Sequence, residues 1–363
     1  MGKDRADIAQ FTALRGFASI WVFGYHFKQY IVSLEPNLTR VMRIFDFGYL
    51  GVDIFFILSG FILAHTYSNK IDVTASTFRL EVKNYFLKRV ARIMPIYILT
   101  TVAALLLNIY AAKENLRVSY TNPEYLNTIN ISLNFAGLQQ WLDRPSFNGP
   151  SWSVSCEIAV YIFFPLLISL VTIVHKKRFL AFHFLFFVFA YILYLLPLFV
   201  KHHSFNINPR MLQCFSEFSM GVLLREFAPS YRIRQSHRTI TLFGLVTLFV
   251  LLFYSRRFYQ LGFLATPLLV ILLILVIYLS NHSKSFFLSK IWIPLGLWSY
   301  SLYLSHGIWQ SVLELSDIRS IKNLLFFRFA QIFLLLSLPI FTAGLLYRFV
   351  ENPLRRKIVA YCS

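Results

Sequence analysis

Charged side chains are scarce in this chain. Only 14% of its 363 residues are Asp, Glu, Lys or Arg, against about 25% in an ordinary soluble domain. Acids are scarcer still, 16 beside 35 Lys and Arg, which leaves a formal net charge of +19. A deficit of this size excludes a surface that faces water throughout. Cysteine is nearly absent: Cys156, Cys214 and Cys362 are scattered without metal-ligand spacing, which argues against both a disulfide framework and a metal site. There is no internal repeat and no low-complexity tract, so residues 1–363 read as one domain. No A-x-A cleavage site follows the first apolar segment, which itself contains Arg15 and His26. That segment is expected to remain as a helix and not to leave as a signal peptide.

What is present is apolar and aromatic. Hydrophobic residues make up 57% of the chain and aromatics 18%, including 39 Phe and 20 Tyr, a composition that suits lipid-facing helices with interfacial belts. Apolar stretches near the length of about 20 residues needed to cross a bilayer recur at 9–29, 49–67, 93–111, 156–174, 180–200, 211–227, 239–255, 262–281, 294–313 and 329–349. The fold class expected is therefore all-α, a polytopic membrane bundle of about ten transmembrane helices. An even number of crossings puts both termini on one side. With the N-terminus inside, twenty Lys and Arg fall in inner segments and twelve in outer ones, which predicts cytoplasmic termini by the positive-inside rule. The same distribution argues against nucleic acid as the reason for the positive charge, because the cations sit between apolar runs and not on a water-exposed patch.

Two connections are long. Thr77–Arg92 reads as a basic amphipathic helix, with Phe78, Val82, Tyr85 and Phe86 opposed to Lys83, Lys88 and Arg89, expected to lie along the inner surface. The outer connection from Ala112 to about Val154 is rich in Asn, Pro, Gly and Trp and ends in Gly149-Pro150-Ser151-Trp152.

The chemistry is carried by the few ionisable residues inside apolar segments. Arg15 and His26 are eleven residues apart, which returns them to nearly one helix face, about 16 Å apart along the axis. Intramembrane ionisable groups mark functional sites unless they snorkel or bond to a neighbouring helix; both bland readings apply here, an interfacial Arg15 and a hydrogen-bonded His26. Asp53, Glu157 and His306 fall at the depth of His26 on three other segments, so four helices could bring four titratable groups together, as a site or as a structural polar network. Arg89 and Arg92 are three apart at the inner entry to the third segment, with Lys88 beside them. They could serve orientation alone, or clamp phosphate bidentately together with Arg15. The spacing suits a long, thin ligand with phosphates at one end and a reactive group at the other, such as an acyl-coenzyme A.

These residues carry a family resemblance. Leu14-Arg15-Gly16-Phe17-Ala18 continuing to Tyr25-His26, Gly51-Val52-Asp53-Ile54-Phe55-Phe56 with Leu58-Ser59-Gly60-Phe61, and Lys88-Arg89-Val90-Ala91-Arg92-Ile93-Met94-Pro95 resemble motifs of the bacterial acyltransferase-3 superfamily of membrane O-acyltransferases. So do Trp152-Ser153-Val154-Ser155-Cys156-Glu157 with Tyr161 and Phe164-Pro165, Ser299-Tyr300-Ser301-Leu302-Tyr303-Leu304 before His306, and Phe349-Val350-Glu351-Asn352-Pro353 before Arg355. The matches run in order over nearly the whole chain. Two departures stand out: Ile158 and Ala159 where the family often has an acid or amide, and Ser305 where it often has Trp. The resemblance implies a bacterial inner-membrane enzyme that moves an acyl group, usually acetyl, from cytosolic acyl-coenzyme A to a hydroxyl of a cell-envelope carbohydrate or lipid-linked glycan. It makes Arg15 and His26 required residues and matches Arg89 and Arg92 to the family's paired arginines. Some relatives add an extra-cytoplasmic esterase-like domain after this region; the chain ends at Ser363, and transfer is expected to be completed within the membrane domain.

The mechanism expected has neutral His26 as general base on the acceptor hydroxyl, with Asp53 or Glu157 fixing its tautomer. An acyl-enzyme on Cys156 is the covalent alternative, although buried thiols are usually inert. A transporter or flippase for a lipid-linked sugar is the rival from another class, since polar groups in a bundle also line substrate paths. No permanently bound cofactor or metal is expected, and oligomeric state is not legible.

Overall fold

A computed structural model describes residues 2–116, 125–176, 180–199, 208–228, 235–254, 259–279, 291–316 and 325–360. Outside them lie Cys362 and, from the loop cations counted above, Arg117, Lys177, Arg178, Lys201, Arg232, Arg234, Arg256, Arg257, Lys284, Lys290, Arg319 and Lys322. Among the described residues the chain is helix and turn without strand. In order it forms α1 (Gly2–Leu34), short turns around α2 (Thr39–Met42), α3 (Gly51–Tyr67), α4 (Phe78–Lys113), α5 (Thr128–Ala136), α6 (Ser151–Lys176), α7 (Leu180–Phe199), α8 (Pro209–Phe227), α9 (Gln235–Tyr254), α10 (Tyr259–Leu279), α11 (Trp292–Leu315), α12 (Leu325–Leu346), a π-helical turn (Tyr347–Glu351) and α13 (Asn352–Ala360).

A long helix occupies the place of each apolar segment. Four stretches, Pro36–Tyr67, Phe78–Lys113, Ser151–Val171 and Arg328–Ala360, are long and apolar enough to cross a bilayer by length and composition. Large apolar side chains such as Phe243, Leu166 and Phe333 are exposed, at 74%, 71% and 69%. An all-helical chain with such an exterior fits a hydrocarbon solvent, in which every backbone polar group must bond within its own segment.

The basic stretch from Thr77 to Arg92 is not a separate surface helix. It is continuous with the third apolar segment in α4, which runs 36 residues through Pro95. A helix of that length is about 54 Å long, well beyond a hydrocarbon core of about 30 Å, so its basic first turns extend past the apolar region on the same rod. Pro95 removes one intrahelical bond without ending the helix, as proline does in membrane helices. Local signals set other boundaries. Asn127 caps α5 by accepting from the Asn130 backbone N–H at 3.0 Å, and Gly137 ends it with a left-handed φ of 71°, the conformation glycine adopts without a Cβ clash. Asn208 and Pro209 start α8 in the same way.

The described chain divides into two compact units interleaved in sequence. The first comprises residues 1–18, 50–82 and 159–296. Its central pair is α3 and α8, which run parallel: Asp53 meets Gln213, and His65 Nδ1 accepts from Arg225 Nε at 2.8 Å further along. Between those points the backbones nearly touch. A Cβ on Gly60 would stand 2.0 Å from the Phe218 carbonyl oxygen, and one on Gly221 2.0 Å from that of Ile57. Reciprocal glycines are how membrane helices approach at backbone distance.

The second unit comprises residues 19–49, 83–158 and 297–363. Its core joins Phe23, Phe27, Tyr30 and Ile31 of α1 to Leu302 and Leu313 of α11 and Ile332 and Leu335 of α12. The connection between α4 and α6 contributes a block of buried amides. Asn134 accepts from the Phe147 N–H at 3.0 Å and donates to the Pro145 carbonyl at 3.1 Å. Tyr97 of α4 donates to the Asn134 carbonyl, and Gln139 donates to the Ser151 carbonyl at 3.3 Å. Polar loop residues can be buried at this depth because they bond to one another.

Candidate active site

The second unit brings His26 and His306 together. Their rings, on α1 and α11, have centroids 5.0 Å apart and planes inclined by 36°. His306 is 1% exposed. Its Nδ1 lies 3.3 Å from the Leu302 carbonyl, and its Nε2 is buried with no hydrogen-bond partner among the described residues. Tyr25 packs edge-on to His26 at 5.2 Å and Tyr303 edge-on to His306 at 5.7 Å, so aromatic rings flank the pair. Tyr303 is held in turn by Ser153, whose hydroxyl donates to it at 2.9 Å.

The Gly149-Pro150-Ser151-Trp152 segment explains how His306 is held. Asn148 Nδ2 donates to the Leu304 carbonyl at 2.9 Å. A Cβ on Gly307, the next residue after His306, would stand 2.3 Å from Asn148 Oδ1 and 2.5 Å from Pro150 Cδ. Only glycine admits this seating of the outer connection against α11 beside the histidine. On another face of α11, Ser301 donates to Glu351 at 2.6 Å. Glu351 lies in the π-helical turn and is 3% exposed; such turns concentrate at functional sites.

The other singled-out residues divide between the units. Arg89, Arg92 and Glu157 belong to the second. Arg89 and Arg92 are half-buried on α4, and the Arg89 guanidinium lies over the Tyr85 ring at 5.9 Å. Arg92, Glu157 and Glu351 all lie within electrostatic reach of Tyr300, whose hydroxyl donates to the Ile93 carbonyl at 2.9 Å. Arg15 and Asp53 belong to the first unit. Arg15 is half-buried on α1. Asp53, 3% exposed, accepts from Gln213 Nε2 at 3.2 Å, and the same amide reaches Glu217 Oε1 at 3.3 Å. Asp53 is therefore part of a buried carboxyl–amide–carboxyl cluster with Gln213 and Glu217 of α8. Cys156 is fully buried.

Several of these partners escape the sequence reading. Glu217 is an acid inside an apolar segment, so the rule that singles out Asp53 applies equally to it. Tyr303, Asn148 and Gly307 carry no such signal, since their role is seating a neighbour. Among the described residues no cluster of His, Cys, Asp and Glu could hold a metal ion. The geometry that remains is a pair of imidazoles with one ring nitrogen unpartnered among the described residues, in the same unit as Arg89 and Arg92. It can take a proton from a hydroxyl.

Comparison with known proteins bears on the family. The chain is 31% identical over 172 residues to "Acyltransferase MdmB" of Streptomyces mycarofaciens, covering 46% of this chain and 41% of that one. It is 26% identical over 304 residues to a "Putative acetyltransferase" of Acidianus two-tailed virus, covering 83% and 82%. A "Putative O-acetyltransferase" of Staphylococcus aureus (strain COL) is 24% identical over 379 residues, covering 98% of this chain and 58% of its own length. The chain thus spans well under two thirds of the first and third of these relatives. No solved structure matches. The family model described as an acyltransferase domain matches residues 8–348, nearly the whole length. The chain belongs to that acyltransferase-domain family.

Proposed function

We propose that this chain is an integral O-acyltransferase of a bacterial inner membrane, moving an acyl group, acetyl foremost, from cytosolic acyl-coenzyme A to a hydroxyl of a cell-envelope carbohydrate or lipid-linked glycan. The observation that carries the reading is the His26–His306 pair, with rings 5.0 Å apart and a buried, unpartnered Nε2. In this mechanism His26 removes the hydroxyl proton as the oxygen attacks the thioester carbonyl. The tetrahedral intermediate collapses with cleavage of the C–S bond, and the proton passes to the departing coenzyme A thiolate. Arg89 and Arg92, together in the second unit, hold the coenzyme A phosphates. Asp53 takes no part in this mechanism: its partners are Gln213 and Glu217.

Alternating crossings fit the observed helix directions. α3 and α8, the second and sixth apolar helices, run parallel, as alternating crossings require of two even-numbered helices. α1 and α11, the first and ninth, are also parallel in the second unit, since His26 faces His306 and Tyr30 faces Glu314. The test is His26→Ala. General-base help is worth about 10²–10⁴ in rate, so the variant should insert normally yet leave envelope glycans without the added acyl mass in a comparison by mass spectrometry. Unchanged acylation would remove His26 from the mechanism.

A further inference from the structure

Beyond the histidine pair, α11 continues as a polar ladder. His306, Gln310 and Glu314 follow one another at four-residue steps, which keeps them on one stripe of the helix. α1 answers with His26 and Tyr30 at the same step. Tyr30 donates to Glu314 Oε1 at 3.0 Å, and Gln310 Nε2 reaches the same oxygen only at 3.5 Å, the long limit of a hydrogen bond. Gln310 is 5% exposed, and its Oε1 is buried with no partner among the described residues, as is His306 Nε2 one turn away. Buried polar atoms in folded proteins are almost always hydrogen-bonded. Two orphans on one stripe of one helix therefore mark a place where something else supplies the bonds.

The direction of the ladder matters. Tyr300, the α11 residue in reach of Arg92, lies six residues before His306, about 9 Å along the axis, whereas Glu314 lies eight residues after it, about 12 Å the other way. Arg92, next to the Ile93 whose carbonyl Tyr300 reaches, and the ladder are on opposite sides of His306 along α11. A thioester arriving from the arginine side leaves the ladder side for the second substrate.

We infer that Gln310, with Glu314 and Tyr30, forms the subsite for a polyhydroxylated acceptor, a pyranose whose reacting hydroxyl sits at His26 while an adjacent hydroxyl donates to Gln310 Oε1. One helix turn, about 5–6 Å, is comparable with the breadth of a single sugar ring. A simple alcohol has no second hydroxyl to satisfy Gln310 and is a poor acceptor. The ladder lies toward the C-terminal ends of two parallel helices, which is the extra-cytoplasmic end when the N-terminus is inside. This rests on the acyl-transfer reading above.

The experiment uses the full chain in lipid nanodiscs with acetyl-coenzyme A, the methyl glycosides of glucose, galactose, N-acetylglucosamine and rhamnose, and cyclohexanol as a ring-sized mono-alcohol. The wild type should acetylate at least one glycoside and not cyclohexanol. Gln310→Leu should raise the glycoside KM about 3- to 10-fold, the loss of one net hydrogen bond, with the acetyl-coenzyme A KM unchanged; Gln310→Glu, which keeps an acceptor oxygen, should recover part of it. Should Gln310→Leu fail to fold, Tyr30→Phe removes the hydroxyl that anchors Glu314 while keeping the packed ring, and should raise the same KM. An unchanged glycoside KM in the variant that folds, or equal use of cyclohexanol, overturns the subsite alone. No coenzyme A release by the wild type with any acceptor overturns the acyl-transfer reading, and the subsite with it.

Discussion

At the residue scale, the two arginines at the entry to the third apolar segment separate orientation from recognition. Arg89 lies over Tyr85 and Arg92 in reach of Tyr300, so both guanidinium groups have defined surroundings and are not merely loop charges. Lysine would preserve the charge that orients the chain, yet it cannot reproduce a bidentate fork on phosphate. Arg92→Lys should therefore leave insertion unaltered and raise the acetyl-coenzyme A KM about tenfold or more, as expected for one charge-assisted hydrogen bond. Steady-state kinetics with varied donor at fixed acceptor would check this; an unchanged KM would leave the arginine with topology as its role. Arg15, His26, Asp53, Glu157 and His306 are all legible as candidates because a charged or titratable group in an apolar run is costly and rare. That rule selects residues but does not pair them. It cannot say that Asp53 meets Gln213 and Glu217, or that His26 meets His306.

Elements are decided by periodicity and by the absence of side chains at crossings. Parallel packing of α3 and α8 depends on Gly60 and Gly221, where any Cβ would stand 2.0 Å from a backbone oxygen. Gly60→Leu should lower the thermal unfolding midpoint in detergent, with a loss of about 1–3 kcal/mol or more from overpacking. Gly244 on α9 has nothing within 4 Å of a would-be Cβ among the described residues, so Gly244→Ala should be neutral or slightly stabilising, since glycine weakens a helix interior by about 0.5–1 kcal/mol. The two variants measured side by side separate the crossing from helix propensity. Helix positions were legible segment by segment. The continuity of α4 was not, because an amphipathic run followed by an apolar one has the same local pattern whether or not the rod bends between them. Likewise the connection from Ala112 to about Val154 reads only as rich in Asn, Pro, Gly and Trp, and the bonds of Asn134, Gln139 and Asn148 to distant backbone explain its burial.

For the whole molecule, sidedness is the property that the chemistry most needs, because donor and acceptor occupy different compartments in the proposed reaction. Cytoplasmic termini predict that Cys362 is labelled by a membrane-impermeant maleimide in inverted vesicles and not in intact spheroplasts. Cys156 and Cys214 are buried and contribute little background. Labelling from the outside would reverse the bundle and place the arginines on the side away from cytosolic coenzyme A.

Composition and order along the chain were enough to determine that this is an all-helical protein built for a lipid solvent, where its helices fall, and to which family it is akin. Those properties are local: each apolar run and each motif declares itself within about twenty residues. Only the tertiary structure decided which rare polar groups meet. His26 and His306 are 280 residues apart and Asp53 and Gln213 160, and such pairings depend on which helices pack, in which direction, and where glycines let their backbones close.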